Sequence, residues 1–146
     1  MHRKVAAALV AALAVGIASC GGSESEPLSR AQLVERIELA CREAQRRAQA
    51  RVNAERGAGR GFFTILAAVQ RQIDERLDEL EPPDGASSAF ETFKQGMSER
   101  TELTERLEGL RDEQLSRAIA DAEDEGRAMI ERAQAAAQRL GVKGCF

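Results

Sequence analysis

Apolar residues recur along most of this chain at steps of three and four, the spacing of one face of an α-helix. Leu33, Ile37, Cys41, Ala44, Ala48 and Val52 form the first stripe, which predicts an amphipathic helix over residues 30–56. Ser29 and Gln32 stand at capping-box spacing in front of it, with Leu28 placed as a hydrophobic staple. Gly57, Gly59 and Gly61 stop that helix. Phe62, Leu66, Val69, Ile73, Leu77 and Leu80 make a second stripe, and Pro82, Pro83 and Gly85 end it, because neither proline can continue a helix. The third stripe is Phe90, Phe93, Met97, Leu103, Leu107 and Leu110. It is interrupted at Arg100 and Thr101, which predicts weaker core contact there. Gly109 and Asp112 mark a turn, with Asp112 as the cap of the next helix. Leu115, Ile119, Ala122, Gly126, Met129, Ala133, Ala137 and Leu140 then repeat in a near-heptad pattern. Gly141 stands where a left-handed C-terminal residue belongs, with Val142 as its apolar partner.

No window alternates over strand length. The fold expected is all-α, an antiparallel up-down-up-down four-helix bundle over residues 29–146, since short connections favour antiparallel neighbours. The competing architecture is a long helical hairpin, with the third and fourth helices fused and the heptads serving dimerisation.

The first nineteen residues read differently. His2, Arg3 and Lys4 are a short positive region, and Val5 to Ala18 is apolar and rich in Ala. Such a segment is too short to cross a hydrocarbon core of roughly 30 Å as a permanent helix, and its charge order is that of a secretory signal peptide. Ile17-Ala18-Ser19-Cys20 resembles the lipobox of bacterial lipoproteins: an aliphatic residue, two small ones, then cysteine. The resemblance implies that residues 1–19 are removed and that the Cys20 sulfur carries diacylglycerol. Residues 20–28, through Gly21-Gly22-Ser23-Glu24-Ser25-Glu26-Pro27, then form a flexible tether. One acyl chain binds a membrane only marginally, whereas two or three on one residue hold firmly. The expected address is the extracytoplasmic face of the cell membrane. The lipobox, Leu80-Glu81-Pro82-Pro83 and the closing Leu140-Gly141-Val142-Lys143-Gly144-Cys145 together resemble small Arg- and Ala-rich helical lipoproteins of high-GC Gram-positive bacteria. That resemblance implies no particular activity.

Composition narrows the chemistry. Hydrophobic residues make up 43% and charged residues 31%, a balance that suits a folded helical protein rather than a disordered one. The single histidine, His2, lies in the leader, so the exported chain has no imidazole for acid/base catalysis, nucleophile activation or zinc binding. Losing Arg3 and Lys4 takes the 21 basic residues to 19 against 24 acidic ones, a charge of −5, which makes nucleic acid a poor partner. With Cys20 set aside, Cys41 and Cys145 remain, and in an oxidising compartment they are most simply a disulfide. An up-down bundle brings the end of the fourth helix back to the start of the first, so disulfide and topology support each other.

Four features are candidates for function. Gly57-Ala58-Gly59-Arg60-Gly61 precedes a helix, but it has no preceding strand and no Lys-Ser/Thr pair, so a hinge explains it better than a phosphate loop. Arg42, Arg46, Arg47 and Arg51, continued by Arg56 and Arg60, offer a face for an anionic partner. They equally make a solvated face through the i,i+4 pairs Glu38–Arg42 and Glu43–Arg47. Asp121, Glu123, Asp124 and Glu125 lack calcium-loop spacing and splay around the helix, with Arg127 in reach of Glu123. Phe62, Phe63, Phe90 and Phe93 could line an apolar ligand pocket, although a packed core layer is the commoner use. No catalytic, cofactor or metal site is expected. The function expected is a non-enzymatic envelope protein that binds another protein. The alternative is a binding protein for a small apolar or lipid-like ligand in the bundle core.

Overall fold

A computed structural model of the chain describes residues 28–54 and 61–146. The leader, Cys20 and the tether through Pro27 lie outside these residues, as do Arg56, Arg60 and most of the glycine stretch. Four helices follow one another: α1 (Arg30–Ala54), α2 (Phe62–Asp78), α3 (Ser87–Leu107) and α4 (Asp112–Leu140). A single 3-10 turn, Asp84–Ala86, leads into α3. Every regular element among the described residues is helical, and none is long and apolar enough to cross a membrane. α3 and α4 are separate helices, so the fused hairpin is not the architecture.

The helix ends follow local chemistry. Gln32 Oε1 accepts from the Ser29 N–H at 2.9 Å and Ser29 Oγ accepts from the Gln32 N–H at 3.3 Å, so the capping box closes as expected. At the other end of the chain Gly141 adopts φ +94°, and the Val142 N–H reaches back to the Ala137 carbonyl at 2.9 Å. Asp112 departs from expectation. It is the first helical residue of α4 rather than its cap, it carries a positive φ of 47°, and Arg111 before it is extended. Asp is one of the few non-glycine residues that tolerates this region.

The pairing is a succession of antiparallel neighbours: α1 on α2, α2 on α3, α3 on α4. Polar contacts across the seams record the register. Arg47 reaches Gln72 at 2.8 Å, Lys94 pairs with Asp78 at 3.0 Å, and Glu99 pairs with Arg132 at 2.7 Å. The bundle is closed between its first and last helices by the C-terminal tail. Cys145 is bonded to Cys41 with 5.2 Å between their Cα atoms. The Lys143 N–H donates to Glu38 Oε1 at 2.9 Å, and Gln45 Nε2 donates to the Gly144 carbonyl at 3.0 Å. Arg30 donates to the carbonyls of Arg139 and Leu140, where a cation offsets the negative end of α4.

The core gathers at this closed end. Leu33, Ile37, Cys41, Leu77, Phe90, Phe93 and Met97 are its largest fully buried side chains. Phe146 lays its ring edge-on to Phe93, with centroids 6.1 Å apart. The third stripe runs through α3 differently from expectation. Thr101 and Thr104 are buried, while Leu103, Leu107 and Leu110 are only half-buried. The interruption is therefore a change of chemistry within the core, not a weakening of contact. Thr104 donates its hydroxyl to the Arg100 carbonyl one turn back at 2.9 Å, whereas the single Thr101 hydroxyl proton has Asp74 Oδ2 of α2 at 2.6 Å in preference to the Met97 carbonyl at 3.2 Å.

Candidate functional site

Two grooves stand out, and the helix register produces both. Arg106 pairs with Glu125 at 2.8 Å, one residue before α3 ends. The segment Asp112–Ala122 of α4 lies on the far side of that ion pair, toward the α3–α4 connection. The connection folds back in a turn where the Leu110 N–H donates to the Leu107 carbonyl at 3.3 Å and Gly109 adopts φ +84°. Between the first turn of α2, the α3–α4 connection and the first turn of α4 lies an open groove of ≈ 500 Å³. Phe62, Phe63, Leu107, Leu110 and Leu115 supply its apolar lining, with Glu108, Arg111 and Asp112 beside them. Phe62 is 56% exposed and Ile119, one turn beyond Leu115, is 46% exposed. The fourth apolar stripe is thus split: Gly126, Met129, Ala133, Ala136, Ala137 and Leu140 are buried, whereas Leu115, Ile119 and Ala122 are not.

The second groove, ≈ 530 Å³, follows the seam of α2 and α3 and is mostly acidic. Asp74 lies at its buried edge and accepts from the Thr101 hydroxyl at 2.6 Å through Oδ2, while Oδ1 is buried without a partner among the described residues. Burial pushes the Asp74 carboxyl above its ordinary 3.8; the Thr101 hydrogen bond opposes this, and the nearby charges of Asp78, Glu105 and Glu102 add to it. Glu91 and Glu102 line the groove as well. Asp78 is held by Lys94, Glu99 by Arg132, and Glu105 by Arg71. No group of three or more ligating side chains suited to a metal ion occurs among the described residues. Gln70, one turn before Asp74, is 3% exposed, and neither amide atom has a partner among the described residues. Arg100 is held below its ordinary value by burial.

The residues singled out in the sequence fall as follows. Arg42, Arg46, Arg47 and Arg51 are all exposed along α1. Two of them make the expected pairs, Arg42 with Glu38 at 3.4 Å and Arg47 with Glu43 at 3.8 Å. The acidic run of α4 is exposed, with Arg127 on Glu123 at 3.1 Å as its spacing implied. The four phenylalanines do not share a pocket. Phe90 and Phe93 are core at the closed end, and Phe62 and Phe63 stand beside the open groove at the other. The tertiary packing separates them because antiparallel α2 and α3 put residues near 62 and near 90 at opposite ends. Two sites escaped the sequence reading. The groove at the α3–α4 connection was foreshadowed by a fourth stripe that begins only five residues after the third ends. The polar seam was foreshadowed by Gln70 and Asp74, which lie one turn apart on α2.

No family model, no curated protein and no solved structure matches this chain.

Proposed function

We propose that this chain is a lipid-anchored, extracytoplasmic helical envelope protein that acts, without catalysing a reaction, as a protein-interaction module. The observation that carries the interaction reading is the pair of exposed apolar side chains Ile119 and Phe62, with half-buried Leu115 in the groove beside Phe62, at the end away from the disulfide. Clustered apolar side chains on a small domain are the usual mark of a binding face. The anchor rests on the Ile17-Ala18-Ser19-Cys20 motif. The polar stretch 21–27 after it supplies a tether of at most about 3.5 Å per residue before α1 begins. A photo-reactive residue at Ile119 should capture protein in intact cells of the native host, and the same residue at exposed Gln134 should not. Equal capture at both sites, or none at Ile119, would overturn the module reading. Intact mass of membrane-extracted protein should place diacylglycerol on Cys20; an unmodified soluble product would remove the anchor.

One observation favours the alternative, a binding protein for a small apolar or lipid-like ligand. The volume of the groove, ≈ 500 Å³, is within the range of small-molecule sites. It lies open at the end of the bundle, whereas the core proper is filled by Phe90, Phe93 and Met97. Saturable displacement of a fluorescent fatty acid, lost in Leu115→Glu, would move the balance to this alternative.

A further inference from the structure

We propose that the groove along the α2–α3 seam binds a small primary amine that carries an oxygen beside its ammonium group, an amino alcohol, and that Asp74 and Gln70 hold it. That groove is separate from the one beside Phe62, and the interaction reading plays no part in it.

Unpaired polar atoms give the ligand its chemistry. Asp74 engages Oδ2 with the Thr101 hydroxyl at 2.6 Å, and its Oδ1 is buried without a donor among the described residues. Gln70 stands one turn away on α2 and is 3% exposed. It offers an acceptor in Oε1 and a donor in Nε2, and neither has a partner among the described residues. Buried polar atoms are normally paired. What is missing is a donor for Oδ1, a donor for Oε1 and an acceptor for Nε2. An ammonium supplies the two donors, and a neighbouring hydroxyl oxygen supplies the acceptor. Both side chains weaken the fold while unpaired, a cost that binding sites commonly carry.

Charge gives the ligand its sign. Burial aside, the charges acting on the Asp74 carboxyl are those of Asp78, Glu105 and Glu102, all negative. The nearest cations are engaged with other acids, Lys94 with Asp78 and Arg71 with Glu105. A single positive charge at Asp74 therefore enters a negative field. A metal ion fits worse. Two side-chain oxygens are too few for calcium or magnesium, and no group of three or more ligating side chains suited to a metal occurs among the described residues. A lysine side chain brings the ammonium without the oxygen and leaves Nε2 unpaired. The groove, ≈ 530 Å³, has Asp74 at its inner edge and reaches solvent at exposed Glu102, which gives a small molecule its way in.

The test titrates 2-aminoethanol into the nitrogen-15-labelled full chain at pH 7 and constant ionic strength, read by amide shifts in NMR spectra. Saturable shifts should centre on Gln70, Asp74 and Thr101. The dissociation constant should fall at about 1–100 mM, the range open to so few atoms. 1,2-Ethanediol lacks the charge and n-propylamine lacks the oxygen, and each should bind at least about threefold more weakly, the factor of one hydrogen bond. Asp74→Asn should weaken 2-aminoethanol by about tenfold or more, and Gln70→Leu by about threefold or more. Asp121→Asn, at an exposed acid of α4, should leave it unchanged. Each seam variant removes a polar or charged group that burial penalises, so its melt should be no lower than that of wild type, which separates lost binding from lost fold. Shifts spread equally over the exposed acids of α4 would mean charge attraction alone and overturn the proposal. Equal binding of n-propylamine, unchanged affinity in Asp74→Asn, or no saturable shift would overturn it as well.

Discussion

Gly96 on α3 faces Ala133 on α4 so closely that a Cβ built on the glycine would stand 2.6 Å from the Ala133 Cβ and 3.3 Å from its Cα. No rotation of a side chain can relieve that overlap, because the neighbour is a methyl fixed to a helix backbone. Gly96→Ala should therefore destabilise the protein by about 1–3 kcal/mol despite the gain in helix propensity. Gly126 is the built-in contrast. Its added Cβ would meet only Leu103 Cδ2, at 3.3 Å. That is the end of a flexible chain, so Gly126→Ala should be neutral or stabilising by up to about 1 kcal/mol. Urea unfolding of both variants reads the difference, and equal effects would mean that the two helices do not approach at Gly96.

The Cys41–Cys145 bond spans a sequence separation of 104. It closes the bundle where α1 and α4 otherwise pack slightly at most on each other. Cys41→Ser, Cys145→Ser and the double variant should each lose about 2–5 kcal/mol, all by the same amount, since either change removes the whole bond. Additive losses in the double variant would refute the pairing, as would free thiols at both positions in a non-reducing peptide map.

Gln70 is buried with its amide unpaired among the described residues. Desolvating an amide without a hydrogen bond costs about 1–3 kcal/mol. Gln70→Leu, similar in volume and without polar atoms, should raise stability by roughly 1 kcal/mol. A loss of stability on chemical unfolding would show that the amide has partners after all.

The Asp74 carboxyl is raised by burial, against its Thr101 hydrogen bond and with the charges of Asp78, Glu105 and Glu102 acting in the same direction as burial. Its folded value exceeds its unfolded value, so the proton is bound more tightly in the folded state. This group's contribution to stability is full below its ordinary 3.8 and is lost as pH rises through the folded value. At neutral pH the charged form is the one that burial penalises. Asp74→Asn should therefore melt higher than wild type at pH 7, with the gap narrowing as pH falls toward 4. Lys94, at the same groove and raised by its hydrogen bond to Asp78, stays charged across this range. A gap that widens on acidification would reverse the sign and refute the assignment.

Much of this could be read along the chain. Leu33, Ile37 and Cys41 declared the buried face of α1 by spacing alone, and Ser29 with Gln32 fixed where that helix begins. Pro82 and Pro83 ended α2 because a proline lacks the N–H that a helix interior requires. Gly141 ended α4 because only glycine takes its left-handed conformation without strain. These are local decisions, made within a turn or two of the residues concerned. The site was less legible. Ile119 has the same apolar chemistry and the same place in the repeat as buried Leu140, and nothing in the residue itself says that it stays exposed.

The sequence by itself determined that this is a helical protein, where its helices start and stop, and which pair of cysteines remained to join. Periodicity, caps and breakers act over a few residues and need no partner to be read. Only the tertiary structure decided the register of α3 against α4, that Ile119 stays exposed, that Phe62 parts company with Phe90, and that Gln70 and Asp74 turn inward. Register is set by the fit of facing surfaces, of which the contact of Gly96 with Ala133 is one. That fit depends on pairs of residues far apart in the chain, which no single helix carries in its own pattern.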